Sequence, residues 1–88
     1  MDSFVYILES ENCDRFYIGS SQNPEKRLSE HNSGKTTSLK NKGPWKIVFR
    51  QKYSTNQKAR AIEAKLKKMK NRKILERIIR EKEIKISV

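Results

Sequence analysis

The stretch FYIGSSQNPEKRLSEHNSG, residues Phe16 to Gly34, changes from a strand pattern to a helix pattern within a few residues. Aromatic and β-branched side chains with a short period favour an extended chain, so Arg15 to Ser20 reads as a strand. Asn23 followed by Pro24 opens a helix for two separate reasons. The Asn side chain can accept from free N–H groups, and proline is pre-set for the first helical position. Glu25 adds negative charge where the helix dipole favours it. The helix is expected to end near Ser33, with Gly34 supplying the left-handed stop. Arg27 and His31 stand four apart and therefore share a face, and Leu28 turns inward beside them.

Working outward, Phe4 to Glu9 is a second strand, joined to the first by the polar SENCD, so the N-terminal twenty residues read as a hairpin. If Val5 and Ile7 pair with Ile18 and Phe16, the apolar residues of both strands lie on one face. That register sets Tyr6 opposite Tyr17 and Gly19 opposite Phe4, leaving room for a ligand or helix to come close. Lys35 to Pro44 is polar, basic and closed by Gly-Pro, which makes it a loop. Trp45 to Tyr53 is the third strand, with Ile47 and Phe49 alternating against Lys46, Val48 and Arg50. Ser54 and Gln57 form a capping-box pattern before Ala59, Ile62, Leu66 and Met69 recur at helical spacing. Asn71 can cap a last helix with Ile74, Leu75, Ile78 and Ile79 as its buried stripe, and EKEIKISV is a frayed end or a short extended tail. The order β-β-α-β-α-α gives an α+β fold, a small three-stranded sheet flanked by helices, with too little chain between strands for a doubly wound parallel sheet.

The 88 residues form one domain, residues 1–88, with its core at about 4–79, and a domain this small buries a modest core. Lys and Arg number 21 against 10 Asp and Glu, a formal net charge of +11, and no acidic residue occurs between Asn32 and Ile62. Such a field favours a polyanionic partner. No apolar run is long enough to span a membrane, and MDSFVYIL lacks the basic region of a signal peptide, so a soluble cytoplasmic protein is expected. The single Cys13 cannot make an internal disulfide, and with one histidine there is no soft-ligand metal cluster.

Phe4-Val5-Tyr6, Tyr17-Ile18-Gly19, Arg27 and His31 on the following helix, and Glu63 on the later one occur in an order and spacing that resembles the GIY-YIG nuclease domain family, in particular its small bacterial members. Phe4 and Val5 stand where the family name has glycine and isoleucine, and the tyrosine is kept. The resemblance implies endonuclease activity, metal-dependent hydrolysis of a phosphodiester, associated with DNA repair. Tyr6, Tyr17, Arg27, His31 and Glu63 are then the catalytic candidates, with Glu63 the ligand of a Mg²⁺ or Mn²⁺ ion. Asn71 is the nearest match to a late asparagine found in many members. The alternative is a nucleic-acid-binding module that keeps the fold without turnover.

These roles suit the residues chemically. Arg27 offers a planar, permanently charged fork for a phosphate. Tyr6, with an ordinary pKa of about 10, acts as a base only if a cation or His31 favours the phenolate. Glu63 is the one acidic residue between Asn32 and Leu75, so a divalent ion there needs phosphate oxygens and waters, and its affinity without nucleic acid should be weak. Arg27, Lys35, Lys40, Lys42, Lys67 and Lys68 are the expected contacts to DNA, whether branched or damaged, with RNA as a further possible substrate. No obligate protein partner is evident.

Overall fold

The computed structural model describes residues 2–11, 15–32, 44–69 and 71–84. Strand β1, Ser3–Ser10, turns Val5 and Ile7 to one side and Tyr6 and Leu8 to the other, and none of the four is more than 1% exposed. A strand buried on both faces needs partners on both edges and cover above and below. It has them: β2 (Phe16–Ser21) and β3 (Trp45–Tyr53) flank it in the antiparallel order β2-β1-β3. Helix α1, Pro24–Asn32, covers the face of Tyr6, Leu8, Tyr17, Trp45 and Ile47 through Leu28. Helices α2 (Asn56–Met69) and α3 (Arg72–Glu81) cover the other face, where Val5, Ile7, Ile18 and Phe49 meet Ala59, Ile62, Leu66 and Ile78. The element order and the α+β architecture are those expected from the sequence.

The hairpin register differs from the expectation by two residues. Ile7 pairs with Ile18 and Tyr6 with Gly19, while Tyr17 faces Leu8. A slip of two preserves which side chains share a face, so the pattern of apolar residues cannot distinguish the two registers. The Tyr6 ring decides it. A Cβ on residue 19 would lie 2.5 Å from the Tyr6 hydroxyl oxygen and 2.6 Å from Cζ, so the ring can cross β2 only over a glycine. The space expected beside Gly19 is thus filled by Tyr6, not left for a ligand.

Strand β3 also departs from simple alternation. Ile7 pairs with Phe49 but Leu8 pairs with Ile47, so Val48 is the extra residue of a bulge. Ile47 consequently joins the α1 face and Phe49 the opposite one. The cap of α2 is Thr55, whose Oγ1 accepts from Lys58 N at 3.1 Å, not Ser54, because the helix starts one residue later than the capping-box pattern suggested. Asn23 and Asn71 cap α1 and α3 as expected, accepting from Lys26 N at 3.2 Å and from Lys73 N at 2.9 Å.

The tail is not frayed at Ile84. That residue is 5% exposed, and its N–H donates to Gln51 Oε1 at 2.8 Å. Burial of one apolar side chain and satisfaction of its backbone outweigh the entropy of ordering this segment. Among the described residues no helix is long and apolar enough to cross a membrane. Cys13, Gly34, Lys35, Lys40 and Lys42, with most of the expected loop from Lys35 to Pro44, lie outside the described residues.

Candidate active site

Tyr6 projects from the central strand toward α1, where its hydroxyl and the Arg27 guanidinium interact. Burial pushes the Tyr6 pKa up, and this outweighs the opposing pull of Arg27; the neighbouring Tyr17 and Glu63 push it further the same way. Tyr6 is therefore a neutral phenol near pH 7. Arg27 is held in its charged form, chiefly by the interaction with Tyr6. Its Nη1 also donates to Glu30 Oε1 at 3.1 Å, one turn along α1, yet its side chain stays 43% exposed. A guanidinium anchored at one end and open to solvent at the other is suited to a bound phosphate.

His31 lies one turn beyond Arg27, is 2% exposed, and meets Tyr17 edge-on with ring centroids 4.9 Å apart. Burial lowers its pKa, and the Arg27 charge lowers it again, against a smaller opposite effect of Glu30. It is a neutral imidazole at pH 7. The next residue, Asn32, fixes the end of α1. Its Oδ1 accepts from Trp45 N at 2.7 Å and its Nδ2 donates to Trp45 O at 3.0 Å. Asn32 thus ties α1 to the start of β3 and so sets the position of His31.

Glu63 comes from α2, on the opposite face of the sheet. It reaches the same place because β2 is an edge strand and Tyr6 crosses it at Gly19. The neighbouring Ser20 points to the α2 side and donates from Oγ to Glu63 Oε1 at 2.5 Å. Lys67, one helical turn on, pairs with Glu63 Oε2 at 2.7 Å and holds its ammonium 5.5 Å from the Tyr17 ring centroid. Tyr6, Arg27, Tyr17, His31 and Glu63 thus converge around the outer edge of β2, with Lys67 bridging the two faces.

Ser20 and the bridging by Lys67 are absent from sequence reasoning. The signal for Ser20 was its alternation with Ile18 on the α2 side of β2. Lys68 is exposed on α2. Asn71 spends its side-chain oxygen on the N–H groups of Lys73 and Ile74.

Three carboxylate, imidazole or thiolate groups that converge on one point are not found among the described residues. Glu63 alone supplies a carboxylate, with Ser20 beside it. This donor set fits Mg²⁺ only in the manner usual for that ion, one carboxylate with phosphate and water making up the octahedron.

The model of the GIY-YIG catalytic domain family matches residues 2–76. The chain belongs to the GIY-YIG family. It is 36% identical over 69 residues to a UPF0213 protein of Enterococcus faecalis, a match covering 75% of this chain and 77% of that one. The solution NMR structure of a UPF0213 protein from Bacillus halodurans superimposes with a TM-score of 0.57, at 26% identity and over 93% of this chain and 86% of that one. Over 48 residues the chain is 45% identical to structure-specific endonuclease subunit slx1 of Pyrenophora tritici-repentis and 43% to SLX1 of Phaeosphaeria nodorum. That match covers 49% of this chain, which spans only 13% of the length of those two relatives.

Proposed function

We propose that this chain is a metal-assisted endonuclease that hydrolyses a phosphodiester bond in DNA, using the side chains gathered at the edge of β2. The observation that carries the reading is the placing of Arg27 against the Tyr6 hydroxyl beside Glu63, a cation, a phenol and a carboxylate in one cluster. Arg27 turns its exposed side to a non-bridging oxygen of the scissile phosphate and stabilises the charge that grows there. Neutral Tyr6 orients the attacking water through its hydroxyl. The water oxygen bonds to phosphorus, the P–O bond to the leaving deoxyribose oxygen breaks, and that oxygen takes up a proton from solvent. Neutral His31, packed against Tyr17, accepts a proton from this network near pH 7. Glu63 is the residue that would hold Mg²⁺ or Mn²⁺, which when bound supplies Lewis-acid stabilisation of the phosphate oxygens. Lys67 must leave Glu63 for that, and a DNA phosphate gives it a new partner, so ion and DNA bind together. The SLX1 relatives are structure-specific endonucleases by name, which supports branched DNA as the substrate class to test first.

The test is nicking of supercoiled and branched DNA with Mg²⁺ or Mn²⁺ present. Glu63→Ala and Arg27→Ala are each expected to lower the rate by roughly 10²–10³, and Glu63→Ala should leave DNA binding largely intact. Equal cleavage by Glu63→Ala overturns the assignment. Tight DNA binding with no cleavage by the natural chain instead favours the binding-module alternative.

A further inference from the structure

On the α2 side of the sheet, next to the cluster just described, the start of β2 and the α2–α3 junction enclose an open depression of about 630 Å³. That volume is within the range of small-ligand sites. Its floor includes Leu66 and Leu75, its wall is the half-buried ring of Phe16, and its rim carries Arg15, Lys67 and Arg72; among the described residues no acidic side chain lines it. The Arg72 guanidinium lies over the Phe16 ring, 4.6 Å from the centroid. Arg72 is 40% exposed and its ion pair with Glu76, at 3.5 Å, is solvated; a base that reaches the Phe16 ring must displace the guanidinium from it.

The geometry points to this depression as the seat of an unpaired nucleotide of the nucleic-acid substrate. An aromatic face flanked by cations with an apolar floor matches a base and its phosphates, the base stacking on Phe16 and the phosphates meeting Arg15 and Arg72. The nucleotide must be unpaired, because in a duplex both faces of each base are covered by its neighbours and only an unstacked base can offer a face to Phe16. Lys67 links this seat to the reaction. It lines the depression while also bridging Glu63 and Tyr17, so a strand lying in the depression runs over the β2 edge toward Arg27. On β2 the neighbours Phe16 and Tyr17 face opposite sides of the sheet, which puts base recognition on one face and phosphate chemistry on the other. The inference rests on the nuclease reading for the neighbouring phosphate alone, and what it adds is the seat of an unpaired base at Phe16.

The experiment is fluorescence anisotropy in EDTA, where no cleavage occurs. It compares a short blunt duplex with the same duplex bearing a single-stranded oligo-dT arm. The arm should tighten binding by the full chain about tenfold, from the stacking of one base. Phe16→Leu, which keeps the apolar packing, and Arg72→Gln should each remove most of that advantage and change blunt-duplex affinity by less than about twofold. Quenching of a 2-aminopurine placed in the arm should disappear in Phe16→Leu. An arm that gives no advantage, or an advantage and quenching that survive Phe16→Leu, overturns the inference. A chain that prefers the arm but nicks nothing keeps this inference and loses the nuclease reading; one that nicks without preferring the arm does the reverse.

Discussion

Tyr6 and Gly19 are one structural unit. The ring of the first lies where a side chain on the second would be, so Gly19→Ala forces either the ring or β2 to move. The expected loss is roughly 1–3 kcal/mol of overpacking strain, read by urea denaturation. Tyr6→Ala in the same chain should absorb part of that loss, so that the double variant is more stable than the two single effects predict; strict additivity would contradict the close approach. His31 gives a second expectation at this scale. Its folded pKa is lowered from 6.5 by burial and by Arg27, so the unfolded chain takes up the proton first as pH falls. Its neutral form therefore contributes stability that is complete above pH 6.5 and is lost as pH drops through the lower folded value. Denaturation midpoints between pH 7.5 and pH 5 should fall more in the natural chain than in His31→Gln, on top of whatever the carboxylates contribute to both. Parallel profiles would mean that His31 titrates in the folded protein as it does in water.

Elements meet at the β2 edge and at the α1–β3 clamp, and neither meeting is written in any one segment. Face assignment was legible, because period-two alternation in Phe4 to Glu9 and Arg15 to Ser20 survives a two-residue slip; register was not, because it depends on a ring crossing a neighbouring strand. The bulge at Val48 was hidden for a similar reason. It is needed only because Ile47 and Phe49 serve opposite faces of a two-sided sheet. The five candidate residues follow from motif order, yet Ser20, Asn32 and the bridging Lys67 come into view only once β2, α1, β3 and α2 are packed together. Asn32 is the most testable of these. Asn32→Ala deletes two hydrogen bonds to the backbone of buried Trp45, an expected loss of about 1–3 kcal/mol by chemical denaturation. Asn32→Asp keeps the acceptor for Trp45 N but sets a carboxylate oxygen against Trp45 O, so it too should destabilise. If both variants unfold at the same denaturant concentration as the natural chain, α1 is held by Leu28 packing alone.

Charge acts at the scale of the whole molecule, and its distribution is uneven. Five cations on α1, β3 and α3 have nearby carboxylates: Arg27 with Glu30, Arg50 with Glu25, Lys52 with Asp2, Arg72 with Glu76 and Arg77 with Glu81. Helix α2 instead carries Lys58, Arg60, Lys65, Lys67 and Lys68 against the single Glu63. The excess within the described residues is thus concentrated on the helix that delivers Glu63 to the β2 edge, where it draws a polyanion toward the cluster. Binding of duplex DNA should be dominated by counterion release. With four to six phosphates contacted, log Kobs against log salt should have a slope of about −4 to −5. Lys68→Gln should make that slope shallower by about one and weaken binding without changing sequence preference. Lys52→Gln, on the strand at the opposite edge of the sheet and beside Asp2, should leave the slope unchanged. Salt titrations of the two variants side by side separate a directed field from a merely basic protein, since equal loss in both would mean that DNA meets the surface without orientation.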